Sequence, residues 1–168
     1  MPINSTERDR QIEDIVWKYV KPIYPAFHGE GWTHKDTNPM SGFDYEKYVD
    51  GKLVAKADVR CAEGIDIKYP TNLMTGHKYT DYMANKDTAD FYVIYYYKKA
   101  CVLKIYNLKD TNLTYIPEYK VWHKREERWR YDPACRLQSD SKTVCNNVPD
   151  IKTAVEKGKV DYAFGMFS

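Results

Sequence analysis

Leu53-Val-Ala-Lys-Ala-Asp58-Val-Arg60, a short break, then Gly64-Ile65-Asp66-Ile67-Lys68-Tyr69-Pro70 is the stretch whose reading decides the fold. Side chains on a β-strand alternate between its faces. The spacing therefore predicts two strands joined as a hairpin. On the first, Leu53, Ala55, Ala57 and Val59 share one face, and Lys56, Asp58 and Arg60 share the other. On the second, Ile65 and Ile67 oppose Asp66 and Lys68. Asp58, Asp66 and the Lys68 ammonium would then converge at one end of the hairpin, where two hard carboxylates suit a divalent cation and an ammonium suits a phosphate.

The surrounding sequence gives this hairpin a context. Upstream, Asn4 with Glu7 resembles a capping box, and apolar residues recur at Ile12, Ile15, Val16, Tyr19 and Val20, predicting an amphipathic helix that ends before Pro22. Residues 22–50 carry scattered Pro and Gly and read as an irregular or weakly stranded connection, closed by an Asp50-Gly51 turn. Leu73 to Asn85 reads as a loop and a short helix. The almost unbroken run Asp90-Phe-Tyr-Val-Ile-Tyr-Tyr-Tyr97 predicts a central strand. Lys98-Lys99 turns the chain into a second strand from Ala100 to Tyr106. Beyond Asp110 the pattern weakens: 119–131 mixes basic and aromatic residues, and 136–147 reads as loop. Pro149 then opens a helix through Lys157, and 160–167 is apolar enough to pack back onto the fold. The expected class is mixed α+β, a central mixed β-sheet flanked by helices, in one domain over 1–168.

Composition bounds the function. The chain has 168 residues and 16 tyrosines, enough length and aromatic mass for a sizeable core. Lys and Arg number 26 against 24 Asp and Glu, so nucleic-acid binding has to come from a local patch rather than from overall charge. No apolar run reaches the ~18 residues that span a bilayer, and the charged N-terminus has no signal-peptide core. A cytoplasmic protein is expected. Cys61, Cys101, Cys135 and Cys145 are widely spaced, which disfavours a zinc knuckle; Cys61 and Cys101 read as buried thiols. There is no nucleophile elbow, Walker loop or dinucleotide-binding glycine motif.

In these residues the chain resembles the PD-(D/E)XK nuclease superfamily, whose fold is restriction-endonuclease-like. Asp58 matches the first acid and Asp66-Ile67-Lys68 the (D/E)-x-K triplet. Ala57 stands where the family name has proline, and Asp replaces Glu in the triplet. The resemblance covers about residues 5–106, with 107–168 as a C-terminal elaboration. It implies a Mg²⁺- or Mn²⁺-dependent endonuclease acting on DNA, or RNA. Asp58, Asp66 and the Ile67 carbonyl would hold the ion, and Lys68 would position water or phosphate. A helix acid, Glu13 or else Asp9, would complete the site.

The triplet pattern also occurs at Asp50-Gly51-Lys52, Glu118-Tyr119-Lys120 and Asp150-Ile151-Lys152, so strand context has to carry the assignment. For nucleic-acid contact the candidates are Lys120, Lys124, Arg125, Arg128 and Arg130, interleaved with Trp122, Trp129 and Tyr131, whose rings could stack on bases. A homodimer would supply two cuts. The alternative reading is a noncatalytic nucleic-acid- or protein-binding module.

Overall fold

The computed structural model describes residues 2–34, 42–62, 71–123, 125–154 and 156. Helix α1 (Pro2–Val20) is followed by strands β1 (Trp32–His34), β2 (Tyr45–Val49) and β3 (Lys52–Ala62). Strand β4 (Thr71–Thr75) runs into helix α2 (Gly76–Asn85), and β5 (Asp90–Tyr97) and β6 (Val102–Asn107) follow. The chain closes with β7 (Asn112–His123), β8 (Arg128–Gln138), β9 (Val144–Asn147) and a helical segment over 149–154. The protein is thus mixed α+β, with a central six-stranded mixed sheet in the order β1-β2-β3-β5-β6-β9. A second sheet, β4-β8-β7, packs beside it. No helix among the described residues is long and apolar enough to cross a membrane.

Among the described residues the hairpin partner of β3 is β2. β3 pairs antiparallel with β2 across the Asp50-Gly51 turn, and parallel with β5 on its other edge. Both turn residues have positive φ, 51° and 75°, the conformation of a type I′ turn that matches strand twist. Of the two forms expected for 22–50, the stretch before Asp50 takes the stranded one. Asp66, Ile67 and Lys68 lie outside the described residues, as do the segment 64–70 and the tail 160–167.

Strand alternation is as the spacing predicts over most of β3. Ala57 and Val59 pack with Ile12, Val16 and Val20 of α1, while Asp58 lies on the opposite face. Leu53 is the exception: it packs with the second cluster, around Phe91. The register shifts between Lys47 and Tyr48, putting one extra residue into β3, and a one-residue slip sends a side chain to the other face. Strand β5 is buried on both sides, as its sequence predicts. Ile94 and Tyr96 face the α1 layer, and Phe91, Val93, Tyr95 and Tyr97 face α2 and the second sheet.

Tyrosine hydroxyls bond the two sheets together. Tyr95 donates to the Leu73 carbonyl at 2.6 Å, and Tyr106 donates to Asn72 Oδ1 at 2.6 Å. Asn72 Nδ2 in turn donates to the Tyr97 hydroxyl at 2.6 Å. The chain beyond 107 is woven into this core: Cys135 and Leu137 of β8 are buried, and β9 adds an edge to the main sheet. Residues 136–138 and 144–147 are strands rather than loop. Cys135 is the buried cysteine, whereas Cys61 and Cys101 are only half-buried.

Candidate functional site

Strand β3 outruns β2. The β2–β3 ladder starts at Tyr45–Ala57, so beyond Ala57 the edge of β3 facing β2 is unpaired by that strand. Three acids gather there. Asp58 projects from β3 and is 1% exposed. Asp44 immediately precedes β2, and its backbone N–H donates to Asp58 Oδ1 at 3.3 Å. Glu13 reaches across from α1, its Oε1 accepting the Cys61 N–H at 3.4 Å.

Two cations face them. Lys78, on α2 and 4% exposed, places Nζ 3.0 Å from Asp58 Oδ2. Arg60, two residues along β3 and therefore on the same face as Asp58, brings Nε to 4.0 Å from the same oxygen. Neither contact has hydrogen-bond alignment, so Asp58 Oδ2 is a buried oxygen with no hydrogen-bond partner.

Next to this cluster lies a second, in which one cation meets two acids. Lys56 Nζ is 2.7 Å from Asp81 Oδ2 and 3.3 Å from Glu46 Oε2, and the Tyr48 hydroxyl donates to Glu46. Residues 78 and 81, one turn apart on α2, thus dock on residues 58 and 56 of β3. Gly76, at the start of the helix, lets α2 approach β8 closely: a Cβ there would stand 2.7 Å from Pro133 Cβ.

Burial and mutual repulsion strain the acidic cluster electrostatically. Glu13 is pushed up to about 7, first by burial and then by Asp58 and Asp44, against the lowering effect of Arg60. Asp44 is also pushed up to about 7, by burial and then by the charge of Asp58 and a hydrogen bond between the two carboxyls, which requires a proton on one of them. The folded protein therefore holds protons that the unfolded chain has released. The stability these protons confer is complete below about pH 4 and is lost as pH rises through about 7. We expect the urea midpoint to fall between those limits on account of these two groups; a midpoint rising steadily over that window would contradict the geometry.

Among the described residues no three His, Cys, Asp or Glu side chains form a ready-made metal cage. That excludes a closed zinc-type site among them. Mg²⁺ differs, being held by one or two carboxylates together with water and substrate phosphate. The paired Asp44 and Asp58 carboxyls and the orphan Asp58 Oδ2 fit that pattern.

Of the residues singled out in the sequence, Asp58 and Glu13 are brought together. Asp44, Arg60 and Lys78 were not singled out. Asp44 was legible from the Asp50-Gly51 turn, which folds Asp44 back toward Asp58; nothing local marks Lys78. The basic-aromatic stretch lies elsewhere, on the β7–β8 hairpin. There Arg128 is bonded to Glu126 at 2.8 Å, Arg130 to Asp132 at 3.0 Å, and Arg125 is exposed at the tip. Lys124 lies outside the described residues. No family model matches the chain, and neither a curated protein nor a solved structure resembles it at a significant level.

Proposed function

We propose that the protein is a metal-dependent nuclease with a PD-(D/E)XK-like core, its site centred on Glu13, Asp44 and Asp58. One observation carries this reading: three carboxyls gather in a partly buried cluster with only two cations, and two of the acids are pushed up to about 7. Three acids against two cations leave this cluster one acid in excess, and both raised acids feel the charge of Asp58. The family resemblance then shifts one strand upstream. Asp44 takes the place of the first acid and Asp58-Val59-Arg60 that of the triplet, with Arg for Lys. The strand–helix–strand path from β3 through α2 to a parallel β5 supports the same likeness.

Asp44 and Asp58 would hold Mg²⁺ or Mn²⁺, which supplies an activated water and charge neutralisation at the phosphorus. Glu13, with an affinity for protons matched to neutral pH, is suited to take the proton from the attacking water. Arg60, whose side chain is 48% exposed, can meet a phosphate oxygen, whereas buried Lys78 positions Asp58. Asp66, Ile67 and Lys68, the other candidates for the ion and the phosphate, are not needed for this reading.

The test is incubation of plasmid, linear duplex, single-stranded DNA and RNA with Mg²⁺, Mn²⁺ or EDTA. Strand scission that requires the ion is expected. Absence of scission on every substrate, with no heat of metal binding, would favour the noncatalytic reading. That reading draws support from the Asp58–Lys78 pair, which by itself seats α2 on the sheet.

A further inference from the structure

Strand β4 pairs with β8 only from Thr75–Ala134 to Thr71–Gln138, so past Ala134 the β7–β8 hairpin continues as two strands. At ~3.3 Å per residue the six steps from Ala134 to Arg128 make an arm of about 20 Å. An isolated two-stranded ribbon is marginal in water. Here Trp122 and Trp129, directly opposite in register, brace it by an edge-to-face contact at 5.5 Å.

The arm's two faces differ in chemistry. Lys120 lies opposite Tyr131, and Trp122 opposite Trp129, so these four share one face. Trp122, Trp129 and Tyr131 are 45%, 56% and 61% exposed, among the most solvent-open large side chains described. Lys120 Nζ sits 4.8 Å from the Trp129 ring centroid. Val121, His123, Arg128 and Arg130 occupy the other face, where Asp132 is held by His123 at 3.2 Å and by Arg130 at 3.0 Å. Arg128 draws Glu126 toward that same side. These two carboxylates are thereby turned away from the rings.

We infer that the aromatic face of the arm is a stacking platform for unpaired nucleic-acid bases, so that the nuclease takes substrates with single-stranded segments. The inference rests on the nuclease reading for its choice of ligand. Every base has a π-face, whereas paired bases in a duplex are already stacked, so rings with an adjacent ammonium select unpaired strands without reading sequence. Charge complementarity decides the occupant: three exposed rings with an adjacent ammonium match a polyanion with exposed bases.

Oligothymidylate and a duplex of equal length are titrated into the full-length protein in EDTA, following tryptophan fluorescence and anisotropy. Quenching by oligothymidylate is expected. Trp129→Ala and Tyr131→Ala should each weaken it by roughly five- to a hundredfold, with duplex affinity little changed. Tyr131→Ala leaves the Trp122–Trp129 contact in place, so its effect does not depend on an intact brace having been lost. Unchanged affinity in both variants, equal losses on duplex and single strand, or no binding at all would overturn the platform. Because binding is read without metal, the outcomes separate. Cleavage with an indifferent arm sinks only the platform, and arm-dependent binding without cleavage sinks only the acid-cluster nuclease.

Discussion

Asp44→Asn should abolish metal-dependent cleavage and, at about pH 8, make the protein more stable. The two effects share one cause. At that pH Asp44 has lost its proton beside the charge of Asp58, and the shared hydrogen bond is replaced by repulsion. An Asn amide donates where the proton was, and a hydrogen bond to a charged group is worth about 1.5 kcal/mol, or a rise of roughly 3–6 °C in melting temperature. Losing an ion ligand removes several kcal/mol of transition-state stabilisation, at least about a hundredfold in rate. Stability by calorimetry and strand scission on plasmid check both arms. A variant that keeps its activity, or that melts lower, would mean that Asp44 is a structural acid.

Asp58→Asn should do the opposite to stability. It strands the Lys78 ammonium, 4% exposed, without its counter-charge. Breaking a buried pair from one side costs about 3–5 kcal/mol, a large part of a typical folding free energy. Adding Lys78→Met removes the orphaned charge and should recover most of the loss, while Asn Oδ1 still accepts the Asp44 N–H. Urea denaturation of the single and double variants measures the recovery. If the double variant is no more stable than Asp58→Asn alone, Lys78 draws its compensation from elsewhere.

These opposite signs reflect what the sequence could reveal. Alternation along Lys52–Ala62 marked a strand and put Asp58 on the correct face, because periodicity is local. It could not choose the partner, because a strand has two edges. Ile65 to Lys68, next in the chain, offered the same alternation as Tyr45 to Val49 behind the Asp50-Gly51 turn. Helix α1 and strands β5 and β6 were legible because each has an unambiguous apolar pattern. The β7–β8 arm was not, since a ribbon exposed on both faces shows no apolar alternation. Lys78 was hidden for a further reason: a buried lysine is intelligible only with its carboxylate in view, and Asp58 is 20 residues away across a parallel crossover.

The tyrosine hydroxyls between the sheets carry a consequence for precision. Helix α2 begins at Gly76, directly after β4, and the bonds at Asn72 and Leu73 fix where β4 lies along the main sheet. Greasy contact alone would let that strand slide by fractions of a residue at little cost; directional bonds do not. Where the Lys78 ammonium stands relative to Asp58 is thus calibrated by phenols in the interior, away from any solvent-facing chemistry. A tyrosine-rich core of this kind serves as an alignment jig as much as a source of cohesion.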